Sequence, residues 1–161
     1  MNQQQFQFSF EVFETEAQLN ERDAALLKIA RETTKMAYAP YSQFNVGAVA
    51  RMANGEIIRG TNQENASFPV GICAERVLLS NAAMQYPGVA IESIAISYDN
   101  TNGQSQHPIS PCGICRQSLL EYELRVKQPI RLILGGLSGK VYVIPQASSL
   151  LPLSFTSADM H

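Results

Sequence analysis

Three cysteines and one glutamate constrain this chain more than any other residues in it. Cys112-Gly113-Ile114-Cys115 follows Pro111, and Cys73-Ala74-Glu75 lies in a separate segment; both sit where the pattern predicts a helix start. A Cys-x-x-Cys pair at a helix N-terminus puts both sulfurs within reach of one tetrahedral ion. The N–H groups and dipole there also favour thiolate over thiol. Alone the pair is ambiguous, since a redox motif, half of a structural zinc site and two buried cysteines share this spacing. Cys73 supplies a third thiolate and brings a carboxylate two residues later. Three protein ligands leave the fourth zinc position open to water, as a catalytic zinc requires. Neither histidine is a convincing fourth ligand: His107 precedes Pro108 in a loop and His161 is the last residue, so both are expected in solvent. A fold that uses these residues must bring two helix starts to one point.

Glu75 is a poor choice of ligand beside three thiolates and a good choice of proton shuttle. The plain alternative is an exposed first-turn glutamate favoured by the helix dipole, and the cysteines decide against it. Three thiolates on Zn²⁺ leave a net charge of −1, which weakens its power to acidify water. The two helix N-termini offset part of this. Arg76 is expected to donate hydrogen bonds to the sulfurs. Arg116, after Cys115, is a weaker candidate for that task, with a surface arginine an equal alternative.

The rest of the pattern alternates helix and strand. Phe6, Phe8 and Phe10 alternate with Gln7 and Ser9, which predicts a strand or arm over residues 6–13. Asn20 caps a predicted helix from Glu21 to Tyr38, ended by Pro40. Phe44 to Met52 and Glu56 to Thr61 flank Asn54-Gly55, a hairpin signal. A polar loop, Asn62 to Gly71, leads to a helix from Cys73 through Ala83, broken at Pro87-Gly88. Ile91 to Tyr98 reads as a buried central strand. A turn-rich loop from Asp99 to Ser110 precedes a helix that begins at Pro111 or Cys112 and carries Leu119, Leu120 and Leu124. Ile130 to Leu134 and Val141 to Ile144 are strands, Gln146 to Leu151 a short helix, and the tail is polar. The expectation is an α/β fold: a mixed five-stranded sheet between helices in a three-layer sandwich, with residues 21–161 as one domain and 1–20 as an N-terminal extension.

Length and charge narrow the classes of function. At 161 residues the chain can bury about two-thirds of its unfolded surface as one domain. Its 12 basic and 14 acidic residues form no basic cluster, which argues against a nucleic-acid partner. No apolar run approaches the roughly 20 residues that span a bilayer. The start, Met1-Asn2-Gln3-Gln4-Gln5, has neither the charge nor the apolar core of a signal peptide, so a cytoplasmic protein is expected. A charged content of 16% is low and points to surface covered by other subunits.

From about residue 21 onward the chain resembles the short, homotetrameric, three-cysteine cytidine deaminases. The resemblance rests on Tyr38-Ala39-Pro40-Tyr41-Ser42, Phe44, Val46-Gly47-Ala48, Asn62-Gln63-Glu64-Asn65-Ala66, Cys73-Ala74-Glu75-Arg76, Pro111-Cys112-Gly113-Ile114-Cys115-Arg116-Gln117 and Leu150-Leu151-Pro152. It implies one Zn²⁺ per subunit on Cys73, Cys112 and Cys115, with hydrolytic attack at C4 of cytidine or 2′-deoxycytidine while Glu75 protonates N3. It further implies ribose contacts from Asn62 and Glu64, a pyrimidine pocket lined by Phe44, and the Ala74 N–H at the pyrimidine carbonyl. Phe155 would reach a neighbouring subunit's site and stack on the base. The sequence departs from the family at Phe68, where a tyrosine is common, and in the Phe6–Phe13 arm, which many relatives lack.

Overall fold

The computed structural model describes residues 1–160; His161 lies outside the described residues. Six strands form one sheet: β1 (Glu11–Phe13), β2 (Phe44–Met52), β3 (Ile57–Thr61), β4 (Ile91–Asn100), β5 (Arg131–Gly135) and β6 (Val141–Ile144). Their order is β1-β6-β5-β4-β2-β3. β4 and β5 are parallel and the other pairs antiparallel, so the sheet is mixed.

The expected five strands become six because the N-terminal segment joins the ladder. Glu11, Val12 and Phe13 pair with Val143, Tyr142 and Val141 of β6. The alternating residues Phe6, Phe8 and Phe10 lie ahead of this pairing and are exposed. Their rings contact one another at 6.3 and 6.2 Å, and Phe10 meets Tyr142 at 5.2 Å.

The two-residue period of the strands divides the core. Ala48, Ala50, Ile94, Ile96, Leu132 and Leu134 pack with Leu78 of helix α2 (Ala74–Gln85) and Leu119 of helix α3 (Gly113–Val126). Val49, Ala95 and Ile133, at the alternate positions, pack with Leu26, Leu27 and Ala30 of helix α1 (Glu21–Thr33). Asn20 caps α1 through its side chain, which accepts from the Asp23 N–H at 2.9 Å. The helix stops at Thr33, short of the expected Tyr38, and continues as one 3₁₀ turn over Thr34–Met36. Thr33 and Thr34 turn their hydroxyls back onto the Ile29 and Arg31 carbonyls, an alternative to helical pairing. The α1 terminus also presses on β2 at Gly47, where a Cβ would lie 2.3 Å from the Ala30 oxygen.

The hairpin turns at Asn54-Gly55, with Gly55 at φ +89. Gly60 on β3 gives α2 its seat: a Cβ there would lie 2.4 Å from both the Ala74 oxygen and the Leu78 nitrogen. The first turn of α2, with Cys73 as its cap, is thereby held against β3.

Candidate metal centre and substrate pocket

Cys73 is the N-cap residue of α2 and Cys112 that of α3. The Cys73 and Cys112 sulfurs are 3.7 Å apart, and those of Cys112 and Cys115 3.4 Å. All three lie within 4.8 Å of one another, and among the described residues no further ligand-type side chain joins them. Tetrahedral zinc with bonds of about 2.3 Å requires sulfur separations of about 3.8 Å, so this set fits the ion. The three cysteines are free of disulfides. Proton sharing between them is unequal. The Cys115 thiol, helped by Cys112 and by the Arg76 charge, draws the Cys73 thiol down to about 6 against the effect of burial and of Glu75. Cys115 is pushed up, first by its hydrogen bond with Cys73 and then by burial.

Glu75 stands in the first turn of α2 and is only 6% exposed. Burial raises its carboxyl above the ordinary carboxylate range, opposed by its own N–H and by the Cys115 thiol. A proton donor and acceptor therefore sits beside the sulfurs, away from bulk water. The Ala74 N–H at the helix start has no hydrogen-bond partner among the described residues, as expected of an unpaired first-turn donor. Arg76 favours the Cys73 thiolate through its charge, without a hydrogen bond to a sulfur. Arg116 turns elsewhere: its Nε donates to the Pro111 oxygen at 2.9 Å and its Nη1 to the Leu150 oxygen at 3.0 Å. It fixes the approach to Cys112 rather than touching the sulfurs.

Asn62 and Glu64 are both fastened to the segment that enters β2. The Asn62 side chain accepts from the Val46 N–H at 2.7 Å and donates to the Phe44 oxygen at 2.9 Å. One Glu64 oxygen, Oε2, accepts from the N–H groups of Tyr41 and Ser42. The Ser42 hydroxyl foremost, and then these two N–H groups, hold its carboxyl below the ordinary range against the effect of burial. Each side chain retains hydrogen-bonding capacity beyond these contacts. Glu64 borders a cavity of about 390 Å³ with Tyr41, Ser42, Asn65, Phe68 and Gly71. Tyr41 and Ser42 were not among the residues predicted to touch substrate; their only signal was the Tyr38–Ser42 motif. Phe68 is 75% exposed and meets Tyr41 edge-on at 5.8 Å. A cavity of about 420 Å³ between α2 and α3 is lined by Arg76, Gln117 and Arg125, without the sulfurs or Glu75.

Phe44 is partly buried and stacks on Tyr98. Phe155 is 61% exposed, its carbonyl held by the Gln117 side chain at 2.9 Å. His107 is exposed and bonds Tyr98 instead of joining the cysteines.

The family model for the cytidine and deoxycytidylate deaminase zinc-binding region matches residues 20–128. The chain belongs to this deaminase family. A cytidine deaminase of Halalkalibacterium halodurans is 38% identical over 136 residues, 84% of this chain and 96% of the relative. One from Sporosarcina psychrophila is 32% identical over 136 residues, 84% and 92% of the two chains. The crystal structure of cytidine deaminase from Burkholderia pseudomallei superposes with a TM-score of 0.71 at 35% identity, covering 85% of this chain and all of that one. The deaminase family match contains Asn62, Glu64, Cys73, Glu75, Cys112 and Cys115, while β1 and Phe155 lie outside it.

Proposed function

We propose that this chain catalyses zinc-dependent hydrolytic deamination of cytidine and 2′-deoxycytidine to uridine and 2′-deoxyuridine, with release of ammonia. One observation carries the reading: three thiol ligands converge without a fourth protein ligand among the described residues, beside a buried Glu75. A zinc ion held by Cys73, Cys112 and Cys115, one per subunit, would supply the Lewis acidity that makes water a nucleophile near neutral pH.

The chain's own residues do the rest. Glu75 accepts the proton of the attacking water and passes it to N3 as the C4–O bond forms. It then moves the hydroxyl proton to the amine, so that the C4–N bond breaks and ammonia leaves. Its desolvated carboxyl suits it to holding a proton between these steps. The unpaired Ala74 N–H binds the pyrimidine carbonyl. Asn62 and Glu64 take the ribose hydroxyls with their remaining hydrogen-bonding capacity, and their anchored backbone contacts hold them ready. Phe44 lines the base pocket, and Arg76 tempers the negative charge of the thiolates.

The core's division between α1 on one set of strand positions and α2 with α3 on the alternate set supports the three-layer sandwich. A homotetramer with shared sites accounts for the exposure of Phe155 and Phe68. Among the described residues no helix is long and apolar enough to cross a membrane. Three free cysteines in a metal-binding set favour a reducing, cytoplasmic setting, and the conversion of cytosine nucleosides to uracil nucleosides fits a role in pyrimidine salvage.

The direct test is the loss of ultraviolet absorbance when zinc-loaded protein is incubated with cytidine; an unchanged spectrum refutes the assignment. Glu75→Gln is expected to keep its zinc and lose at least about 10²-fold in turnover. A nearly normal rate would remove Glu75 from the mechanism.

A further inference from the structure

Tyr98 is the largest fully buried side chain among the described residues, 1% exposed, yet it lies at the end of β4 from which the chain runs on to Cys112. It pairs with Val46 across the β2–β4 ladder, and Phe44 pairs with Asn100. Phe44 and Tyr98 are therefore diagonal neighbours on one face of the sheet. That face is the one on which Ala48 and Ile96 meet α2, whose first turn carries Cys73 and Glu75. The Phe44 and Tyr98 rings are stacked, 4.8 Å between centroids and 14° between planes.

A buried tyrosine needs a partner for its hydroxyl, and here the partner comes from the loop after β4. The Tyr98 hydroxyl is 3.1 Å from His107 Nδ1. The same loop grips the residue before Phe44: the Thr101 N–H donates to the Gln43 oxygen at 3.1 Å, and the Thr101 hydroxyl reaches the Gln43 side chain at 3.2 Å. Its far end is docked on the β5–β6 turn. The Leu137 N–H donates to the Ser105 oxygen at 2.7 Å, and Cβ atoms at Gly136 and Gly139 would lie 2.2 and 2.1 Å from the Ser105 and Gln106 oxygens. The loop is thus a fixed brace that reaches the Phe44 region twice, directly through Thr101 on Gln43 and indirectly through His107 on the Tyr98 ring that stacks on Phe44.

We infer that Tyr98 and His107 are positioning residues for the base-binding wall: His107 orients Tyr98, and Tyr98 sets the plane of Phe44. Neither touches substrate. The inference rests on the deaminase reading, because it assigns Phe44 to the pyrimidine. A wall that holds the ring equally in ground and transition states governs affinity more than the chemical step. Cytidine and 2′-deoxycytidine share that ring, so both should respond alike.

The experiment measures kcat, KM and zinc content for both nucleosides, with uridine as a competitive inhibitor. Tyr98→Leu is expected to raise KM for both substrates and the uridine inhibition constant by about fivefold, the scale of one aromatic pair. Turnover number and zinc content should stay near those of the wild type. His107→Ala should raise KM in the same direction but less, and His107→Gln, which can still meet a hydroxyl, should restore it. The Phe44→Ala/Tyr98→Leu double variant should bind no worse than Phe44→Ala alone, since the two act as one unit. An unchanged KM in both Tyr98→Leu and His107→Ala overturns the inference. So does a loss confined to kcat or zinc. Should Tyr98→Leu fail to fold, the two His107 variants decide the matter on the surface side of the bond. Wild-type protein that leaves cytidine unchanged would instead refute the deaminase reading, and this inference with it.

Discussion

Cys112 bridges the sulfur set, lying 3.7 Å from Cys73 and 3.4 Å from Cys115. Its removal therefore breaks the ligand set at its middle, while leaving two thiols too few to hold zinc in a three-ligand site. Cys112→Ser is expected to reduce zinc well below one ion per subunit and activity in proportion, measured by metal analysis of the purified protein. Glu75→Gln, by contrast, should separate the two readouts, because the carboxyl stands outside the ligand set. These four residues were legible in the sequence because their chemistry is local: a thiol at a helix cap announces itself by residue type and spacing. Tyr98 and His107 were not. An aromatic at the end of an apolar strand reads as core, and a histidine before a proline reads as solvent; only the folded loop brings them to 3.1 Å.

At the level of elements, Glu123 on α3 shows what periodicity cannot reveal. It is buried, and its carboxylate accepts from the N–H groups of Ile130 and Ala147 through Oε1 and of Ser148 through Oε2. It joins the C-terminal half of α3 to the entry of β5 and to the 3₁₀ turn Ala147–Leu150. That turn ends at Leu150, whose oxygen accepts from the Arg116 guanidinium. Glu123→Ala strands the buried Ile130 N–H, frees the part-buried Ser148 N–H and leaves the Ala147 N–H with its Ile130 oxygen alone; it is expected to cost about 2 kcal/mol, read as a lowered urea midpoint with an unchanged slope. Most elements matched their sequence signals, the Asn54-Gly55 hairpin above all. The misses have physical causes. The expected helix through Tyr38 ends at Thr33, where the Thr33 and Thr34 hydroxyls bond back to the helix and its last turn packs closely on Gly47 of β2. The strand or arm expected over residues 6–13 does contain β1, but its place in the sheet was not legible, because its partner β6 lies far along the chain and only Glu11–Phe13, beyond the alternating aromatics, enter the ladder.

For the molecule as a whole, exposed apolar side chains set the expectation of assembly. Phe155, Phe68, Met84 and Ile114 all lie open to solvent in the single chain. Light scattering is expected to give a mass of four times 17.7 kDa; a monomer would deny Phe155 a neighbouring site. With the proposed tetramer, Phe155→Ala is expected to raise KM for cytidine by about fivefold, the worth of one lost ring contact. The strand order bears on how such an enzyme can be handled. β1 forms one edge of the sheet, and β3, which runs into Asn62, forms the other. Five strand spacings of about 4.8 Å put some 24 Å of hydrogen-bonded sheet between them. A tether or fluorophore joined ahead of β1 would thus be attached at the margin remote from Asn62, the proposed ribose contact, giving a point of immobilisation away from that end of the sheet.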